Sequence, residues 1–459
     1  MLDRSDPLVQ VAPFATDLLA AFRTREVSPV EALNGTLARI EACESTLQAM
    51  VTVSDEKASW QAREAERVWQ SGEAGPLTGV PISIKDTFDI AGLPTTRGSR
   101  VFGRTPALED SGAIRRLLAA GAVIVGKTNT AEFGQSATSE NVLGPVTRNP
   151  WHTDTTPGGS SGGAAVSVAA GYVPLALGAD GGGSIRIPAA MTGTFGFKPT
   201  YGLCPDEGGF RGMSDFCCPG PLSNSVADAR LFLSVLAERK DLMRTDIAPQ
   251  RIGFCLRPDG LPVHPEMCDA VSRVASLLAD LGHKVEDVAL DLTGWNDAFG
   301  PLVLAEERRE RGHLLEYCRD DLTEYEVASL IAAEQLTPVG VKKARSKHDD
   351  YRVKIADLFE RHDALLLPAT ASPAFPIGDR PSAIDGQRVG RLWGPFPFTS
   401  PFNVAGTPAA AIPCGLVDGL PVSAQLVAPC GHDAKLLDIA ESLEEALDFR
   451  AGLPVRKLC

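Results

Sequence analysis

Hydrophobic positions along the chain switch between helical and strand spacing, and the switches mark out the elements. Pro29-Val-Glu-Ala-Leu-Asn-Gly-Thr-Leu-Ala-Arg-Ile40 places Val30, Leu33, Leu37 and Ile40 on one helical face, and residues 15–70 read as two or three helices. Gly79-Val-Pro-Ile-Ser-Ile-Lys85 then alternates: Val80, Ile82 and Ile84 point one way, Ser83 and Lys85 the other, which predicts a strand with a lysine near its end. Asp110 and Ser111 can cap a helix running to Ala120, with Ile114, Leu117 and Leu118 as its buried stripe and Gly121 as its stop. A short buried strand over 122–125 follows, then a helix of small residues over 161–170 and a strand over 174–178. Towards the C-terminus, 364–368, 408–413 and 422–427 read as strands and 434–447 as a closing helix. Residues 300–360 are helical and charged, as in Ala305-Glu-Glu-Arg-Arg-Glu-Arg311, and are expected to form a solvated cover.

This alternation predicts an α/β fold: one large α/β/α domain over 1–459, with a mixed, mostly parallel central sheet covered by helices. A chain of 459 residues could hold up to about three domains, but no repeat, low-complexity tract or clear linker divides it.

The formal net charge of -14 argues against a nucleic-acid surface and against docking on anionic membranes. Met1-Leu-Asp-Arg-Ser-Asp6 has acids and no apolar core, so it does not read as a signal peptide. The longest weakly polar run, Ala164 to Ala179, is short for a membrane span and is broken by Gly171 and Pro174. The ten cysteines lack Cys-x-x-Cys spacing and are expected to be free thiols in a reducing cytoplasm. The seven histidines are scattered, so neither a metal nor another cofactor is expected.

The candidate chemistry lies in two glycine clusters. Pro157-Gly-Gly-Ser-Ser-Gly-Gly163 and Asp180-Gly-Gly-Gly-Ser184 carry Ser160 and Ser184, 24 residues apart. Glycine lets backbone approach a ligand and turn N–H groups towards it. A serine hydroxyl needs a base. His152, the nearest histidine, sits in a polar segment and reads as surface. Lys85 can serve if burial keeps it neutral; the bland alternative is a strand-end lysine reaching solvent and paired with Asp86. The run before Ser184 offers consecutive N–H donors, an oxyanion hole in sequence form, and Pro188 suits the first turn of a following helix. Gly121-Ala-Val-Ile-Val-Gly-Lys-Thr128 matches a phosphate-loop pattern, but its four apolar residues predict a strand rather than a loop.

Several motifs together resemble the amidase signature family of serine hydrolases. They are Gly79-Val-Pro-Ile-Ser-Ile-Lys-Asp86, Gly126-Lys-Thr-Asn129 with Glu132-Phe133, Asn149-Pro-Trp151, Pro157 to Gly163, Gly178 to Ala189, Gly196-Phe-Lys-Pro-Thr-Tyr-Gly202, Asn403-Val-Ala-Gly-Thr-Pro408, Pro413-Cys-Gly415 and Gly419-Leu-Pro421. The resemblance covers most of the chain and is dense over 79–222. It implies that Ser184 is the nucleophile, that Ser160, preceded by a cis peptide, relays the proton, and that Lys85 is the ultimate base. It further implies an oxyanion hole from Gly181, Gly182, Gly183 and Ser184, with Ser161, Asp180 and Arg186 in support.

Thr130 stands where the family commonly has methionine. Leu203 to Cys218 departs from the text usual in the glutaminase component of the glutamyl-tRNA amidotransferase, and Val422-Ser-Ala424 replaces the glycine-containing run usual after Gly-Leu-Pro. Segments 130–136 and 203–219 are therefore candidate pocket walls, with Thr130, Phe133, Gly134 and Cys218 as candidate lining; ordinary surface loop is the alternative. The expected function is hydrolysis of a small or aryl amide, with esters and carbamates as further candidate substrates. The expected partners are that small-molecule substrate and, as one candidate assembly, a second copy of the chain in a homodimer. Two alternatives stay open: a glutaminase component supplying ammonia to a partner, and a binding protein without activity.

Overall fold

The computed structural model describes residues 14–447; the segment 1–6 lies outside them. Eleven strands form one sheet: β1 (Met50–Val53), β2 (Pro81–Lys85), β3 (Val123–Thr128), β4 (Leu175–Asp180), β5 (Phe195–Lys198), β6 (Cys218–Ser223), β7 (Arg251–Phe254), β8 (Lys284–Asp287), β9 (Ala364–Pro368), β10 (Ala409–Val417) and β11 (Leu420–Val427). Their spatial order is β1-β3-β2-β4-β6-β5-β10-β11-β9-β7-β8. The sheet is mixed, as expected. Parallel pairing holds β2 to β3 and β4, and β7 to β8 and β9. The central pairings from β4 to β9, and the outer β1–β3 pair, are antiparallel, so the parallel character belongs to two blocks rather than to the whole sheet. The reason is visible at β4 and β5. A helix, Arg186–Thr192, joins them as in a parallel crossover, but β6 inserts between them and pairs antiparallel with both.

The elements with clear periodicity fall where the pattern puts them. The helix Pro29–Leu47 buries Leu33 and Ile40 and starts with a capping box between Ser28 and Glu31. Helix Gly112–Ala119 buries Ile114 and Leu117. In β2 the side chains of Ile82 and Ile84 join one core cluster, while Ser83 on the other face bonds Ser167 at 2.8 Å. Because β2 and β4 run parallel in register, Ile84 opposite Leu177, their C-terminal ends carry Lys85 and Asp180 to the same edge of the sheet. Ligands of open α/β sheets gather at such an edge.

The expectation of a solvated cover over 300–360 needs correction. Helices Asn296–Arg311, Glu324–Glu334 and Pro338–Leu358 do lie there, but Glu306, Glu307, Arg311 and Glu326 are buried. Only some faces of these helices meet water, and a charged run does not reveal which. No described helix is long and apolar enough to cross a membrane. Among the described residues eight cysteines are free thiols, whereas Cys43 is disulfide-bonded, a pairing that sequence spacing did not disclose.

Candidate active site

Lys85 ends β2 with only 2% of its surface exposed. Its Nζ lies 2.7 Å from Ser160 Oγ, to which it donates, and 3.3 Å from the Ala179 carbonyl oxygen. Burial brings its pKa down from 10.5 to about 8, against the opposing pull of the Asp180 charge. Burial also pushes the Cys217 thiol up to about 12, so it is uncharged where Lys85 titrates. The adjacent Asp86 does not hold Lys85. It forms a buried ion pair with Lys127 Nζ at 2.8 Å. That lysine belongs to the apparent phosphate loop, whose residues form β3 instead; its amine also donates to the Phe88 carbonyl at 2.7 Å and to Thr95 Oγ1 at 2.8 Å.

Ser160 and Ser161 sit in the loop that leads into helix Gly162–Ala169, and the Gly159–Ser160 peptide is cis. The loop can lie this deep because it lacks side chains: a Cβ on Gly159 would meet Thr138 backbone at 2.5 Å, and one on Gly163 would meet Ala49 and Asn129 at 2.5 Å. Ser161 N–H donates to the Ser184 carbonyl at 3.1 Å, fastening the first glycine cluster to the second. Ser161 Oγ also donates to the Ala179 carbonyl at 3.3 Å.

Ser184 follows β4 and precedes helix Arg186–Thr192. The turn is shaped by Asp180, whose carboxylate accepts the N–H of Gly183 at 2.7 Å and of Ile185 at 3.2 Å. Arg186 Nε and Nη2 each reach that carboxylate at 2.9 Å. Burial opposes the Asp180 charge, but the Arg186 guanidinium outweighs it and holds the acid far below the usual carboxylate range. One expected oxyanion donor is thereby lost: Gly183 N–H is engaged by Asp180. The N–H groups of Gly181, Gly182 and Ser184 make no hydrogen bond among the described residues and remain as donors.

A second segment, which no local pattern marked for this role, clamps the turn. Thr399 Oγ1 and Ser400 Oγ donate to the Gly182 carbonyl at 2.8 and 2.9 Å. Asn403 Nδ2 donates to the Asp180 carbonyl at 2.8 Å, and Arg186 Nη1 donates to Gln425 Oε1 at 2.7 Å. The only advance signal was the motif beginning at Asn403.

Ser184 lies where two cavities meet. The larger, about 340 Å³, is lined by Lys85, Ser160, Ser184, Phe133, Gly134, Cys217 and much of the stretch from Cys204 to Ser214. The smaller, about 170 Å³, also reaches Ser184 and Gly134 and is walled by Gly182, Ala137, Ile187, Phe299, Val303, Glu307, Tyr325 and Trp393. Phe133 and Gly134 line the larger cavity, and both loop segments supply wall. Thr130 and Cys218 do not. Thr130 is fully buried away from both cavities, and its carbonyl accepts from Asn141 at 2.7 Å. Cys218 opens β6 opposite Asp180, so alternation turns it away and presents Cys217 instead. Among the described residues, no group of His, Cys, Asp and Glu could hold a metal ion.

The Amidase family profile matches residues 31–437. The chain is 33% identical over 482 aligned positions to the A component of the glutamyl-tRNA(Gln) amidotransferase of Carboxydothermus hydrogenoformans, covering 96% of this chain and 98% of that protein. The crystal structure of an amidase superposes with a TM-score of 0.89 at 31% identity, covering 95% of this chain and 100% of the other. A bacterial aryl acylamidase of the amidase signature enzymes superposes with a TM-score of 0.87 at 28% identity, covering 96% and 98%.

Proposed function

The chain belongs to the amidase signature family of hydrolases acting on C–N amide bonds, and from that premise we propose that it cleaves small or aryl amides through an acyl-enzyme on Ser184. The observation that carries this reading is the 2.7 Å contact between a buried, readily neutralised Lys85 and Ser160, in the cavity that also holds Ser184. In the proposed cycle Ser184 Oγ attacks the carbonyl carbon. Its proton passes to Ser160 while the Ser160 proton passes to neutral Lys85. The carbonyl oxygen, now negative, is met by the N–H groups of Gly181, Gly182 and Ser184; one such donor is worth roughly 2.7–4 kcal/mol of barrier. The C–N bond then breaks as the proton returns through Ser160 to the leaving nitrogen. Water repeats the sequence on the ester and releases the acid and Ser184.

In this reading the two cavities take opposite sides of the substrate. Ser160 delivers the proton, so the leaving amine belongs in the larger cavity, where Phe133, Tyr201 and Phe210 suit an aromatic amine. The acyl group then extends into the smaller one. A panel of p-nitroanilides, primary amides, esters and carbamates tests the reading. Small-acyl anilides should be turned over fastest, esters and carbamates are further candidates, and hydrolysis of none of the four classes would overturn it.

The near-complete overlap with an amidotransferase component favours one second reading, a glutaminase that feeds ammonia to a partner protein. It requires glutamine hydrolysis in the presence of that partner and little activity on anilides.

A further inference from the structure

Helix Asn296–Arg311 turns Glu307 into the smaller cavity, where a carboxylate has no part in the acyl-transfer chemistry. Only 1% of Glu307 is exposed. One oxygen accepts a hydrogen bond from Ser329 Oγ, and the other, Oε1, has no hydrogen-bond partner. Leaving a buried carboxylate oxygen unpaired costs more than leaving a neutral one, unless a ligand donor meets it. Arg311 attracts Glu307 through its charge but makes no hydrogen bond to it. Arg311 faces Glu326 at 3.5 Å, gives Nη1 to the Arg211 carbonyl at 2.8 Å, and stacks over Phe133 at 5.1 Å. Arg380 is held by the Ser136 and Thr138 hydroxyls, and Glu306 accepts the Ser214 N–H at 2.7 Å. Glu132, Glu306, Glu307 and Glu326 are all buried acids, and burial pushes Glu307 and Glu326 up towards the protonated form, so a cation seated at Glu307 Oε1 would hold that carboxylate charged. On the same cavity wall Gln135, also buried, has an unpartnered Nε2.

We propose that the smaller cavity receives an acyl group bearing a protonated amine, and that Glu307 Oε1 accepts the hydrogen bond of that ammonium. The proposal rests on the reading that places the acyl group in this cavity. Apolar walls from Ala137, Ile187, Phe299 and Val303 would pack an alkyl stem, with the amine at its far end. Glu307 is a recognition residue here, remote from the bond that breaks.

Binding to the Ser184→Ala protein tests the idea without turnover. Titration calorimetry with ω-amino alkanamides of two to six carbons, each beside its uncharged alkanamide, should show at least one amine member binding about tenfold tighter than its counterpart, the scale of a hydrogen bond to a charged group. Ser184→Ala/Glu307→Gln, checked for an unchanged melting profile, should bring the pair to near equality. The proposal is overturned if no chain length shows the preference, whether both compounds bind or neither does, or if the preference survives Glu307→Gln. Anilide hydrolysis by the unaltered protein is read separately, so failure of the acyl-transfer reading would show there and not in this titration.

Discussion

The amine of Lys85 meets the Ser160 hydroxyl across 2.7 Å at a depth where 2% of the lysine is exposed, while the neighbouring Asp86 is taken up by Lys127. A lysine without a carboxylate partner can give up its proton near neutrality, and the consequences can be measured.

Ser184→Ala should abolish anilide turnover, by roughly 10⁵-fold or more as expected for loss of a nucleophile, and leave the melting temperature within a few degrees. Labelling by an active-site fluorophosphonate should vanish with it. Substantial residual turnover would remove Ser184 from the mechanism.

Turnover of the unaltered protein should climb from pH 6 and level off above about 8, the value at which Lys85 sheds its proton. A profile flat from pH 5 to 9 would exclude Lys85 as the base.

Lys85 also affects stability. Its folded-state value of about 8 lies below the ordinary 10.5. Between these values the unfolded chain binds more protons, so stability should rise with pH across that window. Below pH 8 the buried ammonium disfavours folding by roughly 3 kcal/mol, at about 1.36 kcal/mol per pKa unit. Lys85→Met should therefore be inactive yet more resistant to urea than the parent at pH 7, with the advantage gone near pH 10.5. A Lys85→Met protein less stable at pH 7 would contradict the assigned burial cost.

The Asp180–Arg186 pair is fully buried on both sides. Arg186→Met strands a buried carboxylate and should cost about 3–5 kcal/mol in denaturant titration. Asp180 is held below its ordinary value, so its contribution is complete above about pH 4 and fades only as pH falls through the depressed value. A loss under about 1 kcal/mol would mean that the turn is braced elsewhere.

Gly183 has φ of 125°, and a Cβ there would lie 2.2 Å from Thr399 Oγ1 and 2.7 Å from Ile187 Cδ1. Gly183→Ala should lower stability by about 1–3 kcal/mol through backbone strain and crowding. Its kcat should fall more than its KM rises, because the turn presenting Ser184 is displaced. Gly183→Ala/Thr399→Ser, which keeps the hydroxyl, should not restore kcat; full recovery would refute the strain argument.

Much of this protein was legible from neighbours along the chain. Alternation over 79–85 placed β2 and the direction of Lys85, and the glycine clusters around Ser160 and Ser184 declared backbone that must come close to something. These are local properties, written in a few consecutive side chains or in their absence. Tertiary structure alone decided the rest. It matched Lys127 with Asp86, gave Gly183 N–H to Asp180, turned Cys217 rather than Cys218 to the cavity, and brought Thr399 and Ser400 to the Gly182 carbonyl from 217 and 218 residues away. It also buried Glu307 and Arg311 in a stretch whose charges read as solvated. The physical reason is that hydrogen bonds and ion pairs are satisfied in space, by whichever partner the packed sheet brings within about 3 Å, and no local period records that choice.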